Sequence, residues 1–149
     1  MARVQVKMVK VDASAILPSY ATDGDAGMDL YSHFYGEIGR TIPSGDRTVI
    51  GTGFRMELPP GYEAQIRPRS GLALKYGITV LNAPGTIDSG FRGEVGVIII
   101  NHGKSDYCVK DGERIAQMVI KPVEQAEIVE VEEISDTIRG NGGFGSTGL

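Results

Sequence analysis

Short stretches of alternating apolar and polar residues, separated by turns, constrain the fold of this chain most strongly. Apolar side chains recur at every second position in residues 4–8, 54–58 and 62–66. This period of two is typical of strands that bury one face. Pro59-Pro60-Gly61 separates the last two stretches and predicts that they form a hairpin.

Further strands are predicted along the rest of the chain. They are expected at Ile78 to Val80, at the β-branched run Val95 to Ile100, at Tyr107 to Val109, at Ile115 to Ile120 and in the acidic segment Ala126 to Ile134. The dipeptide Asp111-Gly112 predicts a second hairpin. The one helical segment is Ser70 to Tyr76, with Ser70 expected as its cap. Many short strands with one helix favour an all-β, jelly-roll-like barrel over alternating β/α units.

Composition excludes several classes of function. A net charge of −4, the absence of Trp and 7% aromatic residues argue against a nucleic-acid partner. No apolar run approaches the ~20 residues needed to cross a membrane, and the first residues lack the apolar core of a signal peptide. Cys108 is the only cysteine, so no intrachain disulfide is possible and a cytoplasmic location is expected. His33 and His102 lie far apart and give no zinc pattern.

Length and C-terminal composition predict one domain followed by an arm. A chain of 149 residues suits a single domain, expected over residues 1–136, with a mobile arm over residues 137–149. Five of the ten residues from Arg139 to Gly148 are glycine. Arg139, the hydroxyls of Ser146 and Thr147, and the backbone N–H groups that glycine exposes suit a phosphate ligand. A floppy terminus has the same composition.

Common nucleotide-binding motifs are absent or out of context. Gly140, Gly142 and Gly145 match the dinucleotide pattern G-x-G-x-x-G, but only four residues follow Gly145, so the required helix cannot form. No P-loop, H-E-x-x-H or G-x-S-x-G motif occurs. Any phosphate chemistry must therefore use other elements.

Two internal segments carry charges that suit a triphosphate and its cation. Asp25 and Asp29 flank a glycine and suggest a hard-cation site, although turn chemistry explains the same residues. The segment from Arg67 to Gly71 brings two arginines and a hydroxyl to the start of the predicted helix, which favours phosphate. An ordinary capped helix with exposed arginines would have the same sequence.

Two other segments combine polar side chains with turns. Asn82 can both donate to and accept from an imide edge. Asp88 can act as a general base toward water, and Phe91 offers a flat face to a sugar or base. A long hairpin explains the same loop. Gln117 lies among apolar residues, so its amide must find a partner, either a ligand or the protein's own backbone.

Taken in order, these segments resemble the five motifs of the homotrimeric deoxyuridine triphosphatase (dUTPase) family. The matching residues are 26–32, 69–71, 85–93, 112–117 and 139–148, and the resemblance runs from about Val4 to the end. It implies Mg²⁺-dependent hydrolysis of dUTP to dUMP and pyrophosphate, which keeps uracil out of DNA and supplies dUMP for thymidylate synthesis. It also implies a jelly-roll subunit and a homotrimer in which all three chains contribute to each active site.

The resemblance further implies a role for each matched residue. Asp88 corresponds to the aspartate that orients and deprotonates the attacking water, and Asp29 to an aspartate that holds Mg²⁺ through water. The residues expected to line the uracil slot are Asn82, Gly85, Thr86, Ile87 and Gly96, with Phe91 against the deoxyribose. The expected phosphate contacts are Arg69, Ser70, Gly71 and Gln117. The arm residues expected to close over a neighbour's site are Arg139, Phe144, Gly145, Ser146 and Thr147.

One position departs from the family pattern, and two other functions share the scaffold. Many members carry Tyr where this chain has Phe91, so the ring that excludes a ribose 2′-OH is kept and a phenol hydrogen bond is lost. A dCTP deaminase-type enzyme is an alternative, but Gly71 after Arg69-Ser70 and the complete arm favour the hydrolase. A non-catalytic nucleotide-binding regulator is the other alternative, against which the retained Asp88 argues. A virally encoded protein would act in the host-cell interior.

Overall fold

The computed structural model describes residues 3–148, which form ten strands and one short helix. The strands are β1 (Lys7–Lys10), β2 (Met28–Tyr31), β3 (Gly39–Ile42), β4 (Arg47–Glu57), β5 (Tyr62–Arg67), β6 (Ile78–Val80), β7 (Gly85–Ile87), β8 (Glu94–Asn101), β9 (Tyr107–Lys110) and β10 (Arg114–Pro122). The helix is α1 (Ser70–Tyr76). No helix within residues 3–148 is long and apolar enough to span a membrane.

Two four-stranded antiparallel sheets form the body of the subunit. One sheet has the order β1-β4-β8-β6, the other has the order β2-β10-β5-β7, and β3 pairs with β9 in a small third sheet. Apolar side chains of the two larger sheets share one core, among them Leu30, Ile66, Met118, Phe54, Val80 and Val97. This arrangement is a jelly-roll-like fold, and it confirms the all-β prediction.

Both predicted hairpins are wrong, although the strands on either side of each turn exist. β4 pairs with β1 and β8, whereas β5 pairs with β10 and β7, so the turn at Pro59-Pro60-Gly61 carries the chain from one sheet to the other. Likewise, β9 pairs with β3 and β10 lies between β2 and β5. A turn signal predicts that the chain reverses, but the buried face of each strand selects its hydrogen-bonding partner.

Other strand predictions also differ from the structure: β2, β3 and β7 were not predicted, and β4 begins at Arg47 rather than at Phe54. β1 begins at Lys7 rather than at Val4, and Ala126 to Ile134 forms no strand. The side chains of Ile128 and Ile134 are both 88% exposed. A β-rich sequence needs a neighbouring strand to satisfy its backbone groups, and within the described residues this segment has none.

Helix α1 has the predicted bounds but a different N-cap residue. Arg69, with extended backbone geometry (φ −92°, ψ 128°), occupies the N-cap position without a side-chain cap, so Ser70 is the first helical residue rather than the cap. Gly77 ends the helix in the left-handed region (φ 68°), where its N–H faces the carbonyls of Leu72 and Ala73. Leu72 is buried and anchors the helix beside the end of β5.

Candidate active site

A row of polar side chains crosses three strands of the second sheet. Gln117 on β10 lies opposite Asp29 on β2 and opposite Arg67 on β5. Because directly opposite residues of neighbouring strands point to the same face, these three side chains form one patch. Their neighbours Met28, Met118 and Ile66 form the next row and face the core. The patch, together with Arg114 and the start of α1, is called the platform below.

Ion pairs with Asp29 hold two arginine side chains of the platform, Arg69 and Arg114. The Asp29 carboxylate lies 3.4 Å from Arg69 Nε and 3.3 Å from Arg114 Nη1, and its side chain is only 16% exposed. Arg69 Nη1 also donates to the Arg114 carbonyl at 3.0 Å. These contacts fix the Arg69 guanidinium next to Ser70 and Gly71, at the start of α1. A Cβ added at Gly71 would meet no neighbouring atom, so the space there is open.

Gln117 finds its polar partner in the protein itself. Its Nε2 donates to the carbonyl of Pro68 at 3.0 Å, which connects β10 to the segment that precedes α1. Gly27 makes this position possible, because a Cβ on residue 27 would overlap Gln117 Oε1 and lie 3.1 Å from Gln117 Cδ. The structure thus explains the glycine in the first predicted segment as space for Gln117.

The predicted base-binding residues line one small cavity between the two sheets. The cavity has a volume of about 60 Å³, and its lining includes Asn82, Gly85, Thr86, Ile87 and Gly96. Ile66 and Val80 contribute apolar walls from the two sheets. All five residues that the sequence assigned to the uracil slot are therefore brought together.

Asp88 and Phe91 border a second cleft that shares walls with this cavity. The cleft has a volume of about 180 Å³ and shares Thr86, Ile87 and Gly96 with the cavity. A turn carries the two side chains, with Phe91 N–H donating to the Asp88 carbonyl at 3.1 Å. The Phe91 ring lies over Gly93, where an added Cβ would be 2.7 Å from Phe91 Cζ. Within residues 3–148 the Asp88 carboxylate accepts no hydrogen bond, so it is available to water.

Within one chain the platform and the cleft lie at opposite ends of β5. Ile87, the residue before Asp88, pairs with Ala64, whereas Gln117 of the platform pairs with Arg67. Ala64 and Arg67 are three residues apart on β5, which corresponds to roughly 10 Å along a strand. Asp88 follows Ile87, so it lies farther still from the Arg67 end. The cleft and the platform are therefore separate regions of the chain.

The C-terminal arm makes only local hydrogen bonds. Successive turns form it, with Gly142 N–H donating to the Arg139 carbonyl and Ser146 N–H to the Gly143 carbonyl. Arg139 Nε donates to the Gly142 carbonyl at 3.0 Å. The side chain of Phe144 is fully exposed, and its backbone has a positive φ of 49°. Gly145 and Thr147 are exposed as well. The structure does not bring these arm residues to the cavity or to the platform of their own chain.

The acidic residues suit a cation that is bound mainly by the phosphates of a bound nucleotide rather than by protein side chains. Residues 3–148 contain no cluster of three His, Cys, Asp or Glu side chains that could hold a metal ion. Asp29 is the one carboxylate of the platform, and Mg²⁺ commonly binds through one carboxylate, several waters and substrate phosphates. Asp25 instead accepts from Thr22 N and Oγ1, both at 2.8 Å, and these hydrogen bonds lower the pKa of Asp25. Turn chemistry therefore explains Asp25.

Arg114 is a residue of the platform to which sequence reasoning gave no role. A β-bulge between Arg114 and Ala116 interrupts the pairing of β10 with β2. Lys110 N–H donates to Glu113 Oε2 at 2.9 Å, which fixes the preceding turn. A β-bulge cannot be recognised from alternating apolar and polar residues. The one sequence signal for Arg114 was therefore its position within a matched motif.

The jelly-roll-like fold, the small cavity between the sheets and the arginine-rich platform are the features that place this chain in the class of jelly-roll proteins with a polar surface site. The dUTPase family model matches residues 13–148. The deoxyuridine 5′-triphosphate nucleotidohydrolase of Crocosphaera subtropica is 60% identical over 146 residues, covering 98% of this chain and 100% of the relative. That of Clostridium acetobutylicum is 58% identical, covering 98% of each. A Staphylococcus bacteriophage 80alpha dUTPase solved with dUPNHPP is 28% identical, with a TM-score of 0.87 over 97% of this chain and 99% of its own.

The chain therefore belongs to the dUTPase family. This confirms the resemblance drawn from the five motifs. The family model and the curated relatives do not favour the two alternative functions, a dCTP deaminase-type enzyme and a non-catalytic regulator.

Proposed function

We propose that this chain hydrolyses dUTP to dUMP and pyrophosphate, with Asp88 as the general base. The reaction is that of the family to which the chain belongs. One observation carries the assignment of residues: the small cavity lined by Asn82 and Gly85 opens beside the cleft that holds Asp88 and Phe91. The enzyme thereby keeps uracil out of DNA and supplies dUMP for thymidylate synthesis. We expect it to act in the cytoplasm, or in the host-cell interior if a virus encodes it.

The small cavity selects the base by shape and by hydrogen bonding. The Asn82 amide donates to and accepts from the imide edge of uracil, and the amino group of cytosine mismatches this pattern. A soft apolar pocket discriminates one methyl group by only ~1–3 kcal/mol, so rejection of thymine requires rigid walls. Strands β7 and β8 supply such walls through the backbone at Gly85 and Gly96.

The cleft next to the cavity selects the sugar and activates water. Phe91 packs on the deoxyribose and leaves no room for a 2′-OH. Asp88 accepts a proton from a water molecule that attacks the α-phosphorus. The bond from that phosphorus to the bridging oxygen of the β-phosphate breaks, and pyrophosphate leaves with the electron pair. Because phosphoryl transfer depends mainly on positioning and charge, no covalent intermediate is required.

The platform binds the phosphates. Arg69 and Gln117 donate to phosphate oxygens, while Ser70 and Gly71 offer a hydroxyl and backbone N–H groups. The family's reaction uses Mg²⁺, which when bound neutralises the phosphates and stabilises the leaving pyrophosphate. Asp29 would hold the ion through water. Asp29 also positions Arg69 through the ion pair at 3.4 Å.

A homotrimer would join the cleft of one chain to the platform of another. The two regions lie about 10 Å or more apart along β5 of one chain, and a neighbouring chain could bring its phosphate-binding side chains to the cleft. The exposed apolar residues in the segment after Val123, which include Ile128, Val131, Ile134 and Ile138, also call for a covering surface. A threefold ring closes such heterologous contacts and gives three equivalent sites.

We assign residues 1–136 to the barrel domain and residues 137–149 to an arm that closes over a neighbouring subunit's site. Met1, Ala2 and Leu149 fall within these ranges but lie outside the described residues. The last hydrogen bond to the barrel is from Val123 N–H to the Gly61 carbonyl. Beyond it the described backbone bonds only to itself, which supports an arm that acts elsewhere. Arg139, Phe144 and Ser146 would then contact the uracil ring and the γ-phosphate on closure.

The substitution Asp88→Asn tests the role of the general base. The amide cannot accept the proton, so kcat should fall by roughly 100-fold or more, while the dissociation constant of the non-hydrolysable analogue dUpNHpp stays within about threefold. Steady-state pyrophosphate release and calorimetric titration measure the two quantities. Near-normal kcat in the variant would remove Asp88 as the base.

Mixed trimers test whether neighbouring chains share a site. Asp88→Asn lacks the base, and a chain cut after Ile138 lacks the arm, so each alone should be inactive. If the arm acts on another chain's cleft, random mixing restores both parts in about a quarter of the sites. Refolding the two variants together should therefore recover about a quarter of wild-type activity. A site confined to one chain would recover none.

A further inference from the structure

We propose that Arg92 is a positioning residue that fixes the turn carrying Asp88 and Phe91. The proposal rests on the proposed function, because it concerns the geometry of the same cleft. The turn spans the gap between the last residue of β7, Ile87, and the first residue of β8, Glu94. It has neither helix nor strand to hold it, so its shape depends on individual contacts.

The Arg92 guanidinium bonds to the turn at two points. Nη1 donates to the Ser89 carbonyl at 2.6 Å and to the Phe91 carbonyl at 3.1 Å. These carbonyls lie on either side of Gly90, where an added Cβ would meet no atom within 4 Å. Glycine without neighbours is the most mobile residue that a turn can contain. A charged donor makes stronger hydrogen bonds than a neutral one, so Arg92 offsets that freedom.

The same turn sets the positions of both functional side chains. One backbone hydrogen bond, from Phe91 N–H to the Asp88 carbonyl, closes the turn. Phe91 also packs against Gly93, so the ring position depends on the backbone on both sides of Arg92. If the turn loosens, the carboxylate of Asp88 and the ring of Phe91 should move together. A loss of turnover and a loss of sugar selection should therefore occur together.

Arg92 acts from behind the turn and does not touch the cleft. Its side chain lines two surface grooves on the outer side, with volumes of about 670 and 290 Å³. The cleft next to the small cavity is lined by Asp88 and Phe91 but not by Arg92. No carboxylate in residues 3–148 forms a salt bridge with Arg92. Within the described residues, the Arg92 side chain therefore forms hydrogen bonds only with the turn.

The test compares Arg92→Ala and Arg92→Lys with the control Arg55→Ala. Arg55 is exposed on β4 and lines one of the same grooves, so the control removes the same charge but no bond to the turn. For Arg92→Ala, kcat for dUTP should fall about tenfold, because both charged hydrogen bonds that hold the turn are lost. The ratio of kcat/KM for dUTP to that for UTP should fall as well. Arg92→Lys, which keeps the positive charge and a donor group but not the guanidinium geometry, should lie between wild type and Arg92→Ala.

Several outcomes separate this proposal from a general structural role. Arg55→Ala should keep wild-type kcat and the wild-type ratio, and thermal unfolding should show all variants folded. If Arg92→Ala does not fold, Arg92→Lys carries the same comparison. An unchanged dUTP-to-UTP ratio in folded Arg92 variants overturns the proposal, even if kcat falls. Wild-type protein that does not hydrolyse dUTP would instead contradict the proposed function.

Discussion

Gly27 is expected to control phosphate binding through Gln117, although it contacts no ligand itself. In Gly27→Ala the added Cβ overlaps Gln117 Oε1 and lies 3.1 Å from Cδ and 3.3 Å from Cβ of the same side chain. The half-buried glutamine cannot stay in place, so its bond to the Pro68 carbonyl, 3.0 Å in the native chain, must break. The backbone of β2 and β10 is fixed by pairing and should not move.

The magnitude follows from the two interactions that are lost. Loss of the Gln117–Pro68 hydrogen bond should lower the free energy of unfolding by about 1 kcal/mol. Loss of a hydrogen bond to a charged phosphate costs about 1.5–3 kcal/mol, which corresponds to roughly 10- to 100-fold in kcat/KM. Activity should therefore fall far more than stability does.

A double-mutant cycle with Gln117→Ala tests the mechanism. In the Gln117→Ala background only the 3.3 Å contact with Cβ remains, so Gly27→Ala should have little further effect on kcat/KM. The assay is steady-state hydrolysis of dUTP for wild type, both single variants and the double variant. Additive losses in kcat/KM would refute the argument, because they would show that residue 27 acts without Gln117.

The remaining predictions concern the cavity, the cation and one acidic turn. Gly85→Ala places a methyl group 3.4 Å from Asn82 Nδ2 and 3.3 Å from the buried Ile66 Cβ, so it should raise KM for dUTP about tenfold and lower the melting temperature as well. Mg²⁺ alone should not change the melting temperature, because residues 3–148 hold no three-residue metal cluster, whereas Mg²⁺ with dUpNHpp should raise it more than dUpNHpp alone. Hydrogen bonds from Thr22 lower the pKa of Asp25 below 3.8, so its stabilising effect is complete above that value and is lost as pH falls through the lowered pKa. The difference in melting temperature between wild type and Asp25→Asn should therefore shrink on acidification below about pH 4.

The sequence predicted seven of the ten strands, did not predict β2, β3 and β7, and predicted strand partners poorly. Alternation in residues 54–58 and 62–66 depends on which side of a strand is buried, and this property is local. Which strand pairs with β4 or β5 depends on contacts between residues that are far apart in sequence. Neither the alternation nor the turn at Pro59-Pro60-Gly61 gives information about such contacts. The segment Ala126 to Ile134 shows the same limit, because its β-branched residues favour a strand for which the single chain offers no partner.

The candidate site was predictable where the residues are contiguous in sequence. Asn82, Gly85 and Asp88 lie within seven positions, so one loop and one short strand bring them together. Gln117 was recognisable as a polar residue among apolar neighbours, but its partner Pro68 lies 49 residues away. Arg114 depends on a bulge, and Arg92 on the shape of a turn, neither of which leaves a pattern in the sequence.

The central claim is that this chain hydrolyses dUTP by attack of water at the α-phosphorus. It is tested most directly by a product assay with Mg²⁺ in ¹⁸O-labelled water, with dUTP, dCTP, dTTP and UTP in parallel. We predict pyrophosphate release from dUTP alone, with the label in the phosphate of dUMP. Deamination of dCTP, label in pyrophosphate rather than in dUMP, or bound dUTP without turnover would contradict it.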